Sequence, residues 1–362
     1  MAVKLRPQQE LFFQFISTKH AGSVVTEAEI LAATKWKPAT IGAYRIKNML
    51  DPFLGLAGPG KHRVLRDGST ISKGEIAAAF TQKRPGLLVL SKGMKAKGEK
   101  ATYELQSYIG AGAVAHVWVA LAPDGHKYAI KVMNPRADLL EPKILDNVRL
   151  RFSKESRHGM TISHDHIVTY RDLGDLSQRP FLVMDLAEDS LAVTLEKGKL
   201  SLRDSLGIIA DCSAGLQHLH GMNCVHRDIK PANILRFADR YVLGDLGIVQ
   251  WSDLNKAFTS AGTITRASVQ LGSWLYMPPE QRKSAHTATA ASDIYALGIS
   301  WYEMLTGGTP DPGEVGAQAF ADPTDDAPTN DLIRRMLRFS AGDRPSAEDL
   351  AKAVSDIRSR LG

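Results

Sequence analysis

The sequence has 362 residues, of which 44% are hydrophobic and 23% charged, and its formal net charge is +6, a composition typical of a globular protein with two or three domains. No apolar run reaches the ~18–20 residues of a membrane span, and the first residues lack a signal-peptide pattern, so we expect a cytoplasmic protein with no membrane partner. Cys212 and Cys224 have neither metal-ligand nor disulfide spacing and are predicted to be reduced core thiols.

The charge is unevenly distributed along the chain. Residues 1–100 contain 17 Lys and Arg against 7 Asp and Glu, whereas the remaining residues contain 28 against 32. A basic N-terminal part followed by a mildly acidic remainder indicates two functional units.

The N-terminal part, residues 1–90, has helical and hairpin patterns. A helix is predicted over "PQQELFFQFISTKH", and a second over "VTEAEILAAT", which begins with a capping box formed by Thr26 and Glu29. "FLGLAGPGKHRVLRDGST" predicts two short strands around a Gly-Pro-Gly turn, followed by the helix "SKGEIAAAF". Helices followed by a basic hairpin resemble a winged helix-turn-helix domain, with Thr40–Leu50 as the recognition-type helix and Lys61–Arg66 as the wing.

Two hypotheses remain open for this domain. In one, it binds nucleic acid and its basic side chains contact phosphates. In the other, it is a protein-contact or dimerisation module whose basic side chains are only solvated. The basic residues concerned are Arg45, Lys47, Lys61, Arg63 and Arg66.

Residues 91–101, "SKGMKAKGEKA", are rich in Lys and Gly and predict a linker. Residues 102–187 alternate and are rich in β-branched and aromatic side chains, which predicts strands with turns at Gly110–Gly112 and Asp124-Gly125 and a helix around 141–161. Residues 188–362 are mainly helical from 201 onward. The fold class is therefore α+β, with a small β-rich lobe, a larger helical lobe and a cleft between them.

Several residues of the small lobe suit a phosphate ligand. The loop "GAGAVAHV" allows close approach of backbone N–H groups to phosphate oxygens, although glycine-rich hairpin turns are also common without a ligand. Lys131 lies inside the apolar strand "YAIKV", where an ammonium group needs a partner. Glu155, on the following helix, is its expected partner.

The large lobe supplies acidic groups in "CVHRDIKPANIL" and "VLGDLG". Asp228 could accept a proton from an attacking hydroxyl, and Lys230 could neutralise charge on a transferring phosphoryl group. Asn233 and Asp245 offer oxygen ligands suited to Mg²⁺. A base, a cation, a loop of backbone donors and two metal ligands are what phosphoryl transfer requires.

Together these motifs resemble the eukaryotic-type (Hanks-type) Ser/Thr protein kinases, over roughly Tyr103 to Leu361. The matching pieces are "GAGAVAHV", "YAIKV", Glu155, "HRDIKPAN", "DLG", "MPPE", "SDIYALGISWYEMLTG" and "DRPSA". The resemblance implies a bilobal kinase fold, ATP bound between the lobes, Mg²⁺ (or Mn²⁺) and protein substrates. The compact length is similar to bacterial members.

The resemblance also implies residue roles. Lys131 would hold the α- and β-phosphates and pair with Glu155, Asp228 would orient the substrate hydroxyl, and Asn233 and Asp245 would carry metal. In the large lobe, Glu280 and Arg344 would form a buried ion pair, and Asp293 would cap the backbone around His226 and Arg227. The nucleotide site would comprise Ile109, Gly110, Gly112, Val117, Ala129, Lys131 and Leu235, with Met184 as gatekeeper and Asp185–Ala187 as hinge.

The sequence departs from the family pattern in a few uncharged positions. Ala115 replaces the third glycine of the phosphate loop, Leu246 replaces Phe in "DLG", and Pro278 replaces Ala in "MPPE". None of these changes removes a charged catalytic group, which favours an active enzyme. An ATP-binding scaffold that does not transfer phosphate, or a switch controlling a DNA-binding winged helix, is the alternative.

The segment between Asp245 and Glu280 is rich in hydroxyl side chains. A phosphate on Thr265 or Ser268 could pair with Arg227 and order the segment, so we expect autophosphorylation there. The alternative is that these are ordinary polar loop residues.

Overall fold

The computed structural model describes residues 7–35, 53–58, 61–64, 67–73, 75–76, 90–111, 115–134, 142–177, 179–246, 274–283 and 287–362. The described residues up to 91 form one compact unit, and those from 92 onward form a second. No helix within these ranges is both long enough and apolar enough to span a bilayer.

The first unit combines two helices with a small antiparallel sheet. Its elements are α1 (Pro7–Ser17), β1 (Val24–Thr26), α2 (Glu27–Thr34), β2 (Leu54–Gly58) and β3 (Lys61–Val64), with strand order β1-β3-β2. The predicted capping box is confirmed, because the Thr26 hydroxyl accepts from the Glu29 N–H and the Glu29 carboxylate accepts from the Thr26 N–H. The predicted hairpin is also confirmed, whereas the expected recognition helix, Thr40–Leu50, lies outside the described residues.

Apolar side chains from both helices and the hairpin form the core of this unit. The Phe12 and Phe53 rings meet edge to face, with centroids 5.8 Å apart. Alternation along β3 turns His62 inward, where its Nε2 lies 3.4 Å from a carboxylate oxygen of Glu27. The core residues are Phe12, Phe15, Ile16, Val25, Ile30, Phe53, Leu54, Val64, Ile71 and Ile76.

The second unit begins with a closed antiparallel barrel in the order β4-β5-β6-β7-β9-β8. Its strands are β4 (Lys95–Gly98), β5 (Thr102–Ala111), β6 (Ala115–Leu121), β7 (Lys127–Met133), β8 (Tyr170–Asp175) and β9 (Pro180–Asp185). Between β7 and β8 the chain forms helix α3 (Pro142–Gly159). Alternation buries side chains such as Leu105, Ala120 and Ile130 inside the barrel.

The prediction of a linker over residues 91–101 is wrong for β4. This strand pairs with β5 on one side and with β8 on the other. Inward-facing and outward-facing side chains alternate along β4, but the inward-facing one is small: Ala96 is fully buried, while Lys95 and Lys97 are exposed. Lys and Gly are depleted in strands, so composition alone indicated a linker.

A buried carboxylate holds the turn after β4. Asp172 on β8 is fully buried and accepts hydrogen bonds from the N–H groups of Glu99, Lys100 and Ala101 at 3.0–3.2 Å. The Tyr103 hydroxyl donates to the same carboxylate at 3.0 Å. Because these bonds satisfy the buried charge, the segment that enters the barrel is fixed rather than free.

The rest of the second unit is mainly helical. Its elements are β10 (Asp189–Ser190), α4 (Leu191–Leu195), α5 (Leu202–Gly221), β11 (Ile234–Phe237), β12 (Arg240–Leu243), α6 (Pro279–Lys283), α7 (Ala290–Thr306), α8 (Pro312–Ala317), α9 (Ala327–Met336) and α10 (Ala347–Leu361). Helix α7 runs through the core, where the fully buried indole of Trp301 donates to the Ser205 hydroxyl at 3.0 Å. The small β-rich lobe and the larger helical lobe are those that the sequence predicted.

An ion pair braces the helical lobe. The Arg344 guanidinium donates to both carboxylate oxygens of Glu280, at 2.7 and 2.9 Å, and its side chain is fully buried. Burial alone would raise the pKa of Glu280, but the hydrogen bonds from Arg344 prevail and lower it.

Candidate active site

Strand β7 places Lys131 at the junction of the two lobes. Its ammonium donates to Oδ1 of Asp245, which follows β12. Burial would raise the pKa of Asp245, but the charge and hydrogen bond of Lys131 prevail and lower it. Asp245 is therefore an ionised oxygen donor held beside a cation.

The predicted ion pair between Lys131 and Glu155 is not present, because the ammonium of Lys131 is engaged by Asp245. Glu155 on helix α3 is half-buried, and its Oε2 is buried with no hydrogen-bond partner among the described residues. Burial raises the pKa of Glu155 to about 7, against the opposing charges of Arg227 and Arg151. Two carboxylates could compete for one ammonium, and sequence spacing did not show which one would be its partner.

The loop between α5 and β11 arranges the polar groups around Asp228. Lys230 Nζ donates to both carboxylate oxygens of Asp228, at 3.0 and 2.8 Å. The amide nitrogen of Asn233 donates to Asp228 Oδ2 and to its backbone carbonyl, both at 2.8 Å. The carboxylate is thus fixed in position by two side chains from its own loop.

Asp293 on α7 accepts hydrogen bonds from the backbone of this loop. Its carboxylate accepts from the N–H of His226 at 2.8 Å and from the N–H of Arg227 at 2.7 Å, the capping contacts that the family resemblance implied. These bonds support a left-handed backbone at Arg227, with φ of 71°. The sequence reasoning missed His220, whose Nε2 lies 3.0 Å from the same carboxylate. The sequence feature that could have indicated this contact is the position of His220, six residues before His226.

Further hydrogen bonds join this loop to the segment that carries Asp245. Gly244 N–H donates to the Asn233 carbonyl at 2.8 Å, and His226 Nε2 lies 2.9 Å from the Gly244 carbonyl. A Cβ on Gly244 would lie 2.5 Å from the Leu235 side chain, which would have to move to make room for it. Lys131, Asp228, Asn233 and Asp245 are therefore brought into one region between the lobes.

The residues expected around a nucleotide base lie on facing elements. Ala129 on β7 is opposite Met184 on β9, and both are buried. The Asp185 carboxylate is held by Arg171 at 2.6 and 2.7 Å, and the Asp185 N–H donates to the Thr169 carbonyl at 3.1 Å. The remaining residues range from half-buried to exposed, with Ile109 52% exposed; they are Ile109, Gly110, Val117, Ala187 and Leu235.

Three expected residues lie outside the described part of the chain: Gly112 in the phosphate loop, and Thr265 and Ser268 between Asp245 and Glu280. In the ranges that the structure describes, no group of three or more His, Cys, Asp and Glu residues forms a metal-binding cluster.

Comparison with known proteins places this site in a family. Residues 103–354 match the protein kinase domain family. The chain is 34% identical over 280 residues to the serine/threonine-protein kinase PknA of Corynebacterium glutamicum, covering 71% of this chain and 56% of that protein. It is 30% identical over 278 residues to PknA of Mycobacterium tuberculosis, covering 71% of this chain and 61% of that protein. The chain thus spans little more than half the length of these curated relatives.

A solved structure shares the fold of the second unit. The crystal structure of the Mycobacterium tuberculosis PknI kinase domain is matched with a TM-score of 0.53 at 20% sequence identity. The match covers 74% of this chain and 99% of that domain.

Proposed function

The chain belongs to the protein kinase domain family, and on that premise we propose that it transfers the γ-phosphoryl group of ATP to serine and threonine hydroxyls of protein substrates. The observation that carries this proposal is the arrangement of Asp228, Lys230 and Asn233, which fixes a carboxylate and a cation in one loop. The same loop is hydrogen-bonded to the segment that bears Asp245. Relatives named serine/threonine-protein kinases support the choice of acceptor.

The chemistry follows from these positions. The substrate hydroxyl gives its proton to Asp228 as its oxygen bonds to the γ-phosphorus, and the bond from that phosphorus to the β–γ bridging oxygen breaks, releasing ADP. Lys230 neutralises charge on the transferring group, and Lys131 holds the phosphates of the nucleotide. Adenine would lie between Ala129 and Leu235, against Met184.

Mg²⁺ (or Mn²⁺) fits the donor set of this site. The amide nitrogen of Asn233 is used in bonds to Asp228, which leaves its carbonyl oxygen to accept a cation, and Asp245 is an ionised carboxylate. Two protein oxygens plus substrate phosphates are a usual magnesium environment. The chemistry that such an ion supplies is neutralisation of charge on the phosphate oxygens.

Regulation by phosphorylation of Thr265 or Ser268 is part of the proposal. Arg227 is exposed, and its positive charge acts on Glu155 together with that of Arg151. A phosphate on the segment after Asp245 would meet these guanidinium groups and form charge-assisted hydrogen bonds. Phosphopeptide mapping after incubation with Mg-ATP tests this, and finding no phosphate between residues 248 and 272 would refute it.

For residues 1–90 we propose a winged-helix-like targeting domain that binds nucleic acid. The order of α1, β1, α2, β2 and β3, with the hairpin in a three-stranded antiparallel sheet, supports it. The excess of basic residues supports the choice of a phosphate backbone as ligand. A protein partner is the competing outcome.

Two experiments test the proposed function. The first is label transfer from γ-labelled ATP to generic acceptor proteins, with and without residues 1–90. The second is thermal stabilisation by ATP, read together with the first: stabilisation with label transfer indicates an enzyme, whereas stabilisation without label transfer indicates a scaffold that binds the nucleotide. The site gives no support to the scaffold alternative, because the four charged or metal-binding side chains of the motifs are present. Lys131 contacts Asp245, Asn233 contacts Asp228, and the backbone of Asn233 is hydrogen-bonded to Gly244, next to Asp245.

A further inference from the structure

Three imidazole rings lie close together between α5 and the segment that leads from α3 into β8. The ring of His164 stacks on that of His218, with centroids 4.8 Å apart and an interplanar angle of 25°. The His166 ring lies 5.8 Å from that of His164. All three residues are half-buried, so protons from solvent can reach them. The proposed reaction uses none of these side chains.

A backbone hydrogen bond fixes which ring nitrogen of His164 carries a proton. The N–H of His166 donates to His164 Nδ1 at 3.1 Å. This nitrogen must keep its lone pair to accept, so the neutral ring carries its proton on Nε2. A second proton can be added only at Nδ1, where it would remove the acceptor. Protonation of His164 and its bond to the His166 backbone therefore exclude each other.

The surroundings of His164 oppose its protonation. Burial lowers the pKa of His164, and the imidazoles of His218 and His166 lower it further, against the opposing charge of Asp165. The folded chain thus binds fewer protons here than the unfolded chain as the pH falls below the ordinary pKa of 6.5. Stability from this neutral ring is present above that value and is lost in acid.

The other charged groups around the cluster have partners of their own. Asp211 on α5 lies 3.6 Å from His166 Nδ1. At the start of β12, Arg240 donates to the Asp165 carbonyl at 3.0 Å and forms an ion pair with Asp239 at 3.3 Å. The acid that acts directly on the His164 ring is therefore its own neighbour, Asp165.

Strand β12 is hydrogen-bonded to the same histidine segment. The Leu243 N–H donates to the His166 carbonyl at 2.9 Å, and the Val168 N–H donates to the Leu243 carbonyl at 2.9 Å. His166 Nδ1 lies 3.1 Å from the Tyr241 carbonyl, which can only accept, so the ring donates. Because Asp245 follows Leu243 by two residues, the histidine segment supports the strand that places this carboxylate.

We propose that His164 is a pH-sensitive positioning residue for the strand that leads to Asp245. A proton on its Nδ1 breaks the bond from the His166 N–H and puts a charged ring against His218. The segment that supports β12 is then held less firmly, and so is Asp245. Mildly acidic solution would thereby slow phosphoryl transfer, an effect on activity that rests on the proposed function.

The test compares the full chain with and without His164→Asn. Asparagine offers a side-chain oxygen in place of Nδ1 to accept from the His166 N–H, but it does not titrate. Rates of phosphoryl transfer with saturating Mg-ATP, and melting temperatures, are measured from pH 7.5 to pH 5.5 at constant ionic strength. The two proteins should transfer at similar rates at pH 7.5, whereas at pH 5.5 the variant should be about 2–5-fold faster. Its fall in melting temperature between these pH values should be smaller by about 1–3 °C.

Two further variants separate this role from a merely structural one. His218→Phe keeps a stacked ring but removes the neighbouring imidazole charge, so its loss of activity in acid should begin at a higher pH than in the wild type. His126→Asn removes an exposed imidazole in the turn between β6 and β7, and should follow the wild type at every pH.

The proposal has clear contrary outcomes. Identical pH profiles of the wild type and His164→Asn, or a variant slowed by the same factor at every pH, would contradict it. If His164→Asn does not fold, His218→Phe decides, and an unchanged acid limb in that variant would contradict the proposal. A wild type that transfers no phosphate at any pH would refute the proposed function, whereas the melting temperatures would still test the role of His164.

Discussion

Lys131 and Asp245 form an ion pair that joins strand β7 of the small lobe to the segment after β12 of the helical lobe. The lysine is 14% exposed and the aspartate 38%, so the pair lies at the edge of the cleft and not in the core. Its two members are the cation and the carboxylate that the proposed reaction assigns to the nucleotide phosphates and to the metal. In this conformation the two groups are paired with each other. Nucleotide binding would therefore have to replace the contact between Lys131 and Asp245 with contacts from Lys131 to phosphate and from Asp245 to the metal.

The first prediction concerns this pair. Lys131→Ala and Asp245→Ala should each reduce phosphoryl transfer by at least about 10²-fold, because each removes a group that acts on transition-state charge. Turnover is measured with saturating Mg-ATP, and circular dichroism checks the fold. Lys127→Ala, an exposed lysine on the same strand, is the matched control and should retain activity. Full activity in both active-site variants would refute the assigned roles.

A second prediction follows from the carboxyl group of Glu155, whose pKa is about 7 in the folded chain and 4.5 ordinarily. The folded state binds more protons than the unfolded chain between these values, so the free energy of unfolding falls as pH rises through this window. The Glu155→Gln substitution removes the ionisable group and therefore this decrease in the free energy of unfolding. The variant should be more stable than the wild type at about pH 8, by roughly 1–3 kcal/mol, and equally stable near pH 4.

Urea denaturation at a series of pH values measures this difference. Glu188→Gln serves as the matched control, because Glu188 is an exposed carboxylate paired with Arg236. This variant should not become more stable relative to the wild type as the pH rises from 4 to 8. A pH-independent difference for Glu155→Gln would show that its carboxyl group is not perturbed by burial.

The third prediction concerns the brace of the helical lobe. Arg344→Ala removes the two hydrogen bonds that Arg344 donates to the Glu280 carboxylate, and should lower the free energy of unfolding by about 3–5 kcal/mol. Arg335→Ala breaks the exposed pair with Asp331 and should cost less than about 1 kcal/mol. Chemical denaturation of the two variants measures the contrast, and similar losses in both would contradict a special role for the buried pair.

A fourth prediction addresses residues 1–90. If this domain binds nucleic acid, the affinity of the full chain for duplex DNA or RNA should fall steeply with added salt, because bound phosphates release counterions. Gel-shift titrations at several salt concentrations measure the slope. A flat response, or no binding, would favour a protein partner for this domain.

The family motifs predicted the bilobal fold and the positions of Asp228 and Asp293, because those residues act through contacts with nearby loops or with backbone that the motif itself defines. Sequence reasoning failed where the motifs left two candidate partners or gave no signal, although it succeeded for the caps from Asp293 to His226 and Arg227, which are 67 and 66 residues away. Lys131 has two acidic candidates from different elements, and only the packed lobes show that Asp245 takes the ammonium. Strand β4 was missed because its burial depends on Ala96 alone and its turn on Asp172, 73 residues beyond Glu99.

The central claim is tested most directly by comparing phosphoryl transfer from γ-labelled ATP to a generic acceptor protein by the wild type and by Asp228→Asn. We predict that the wild type labels the acceptor on serine and threonine, and that the variant is slower by about 10²–10⁴-fold while ATP still raises its melting temperature. A wild type that binds ATP but labels nothing, or a variant that transfers at the wild-type rate, would contradict it.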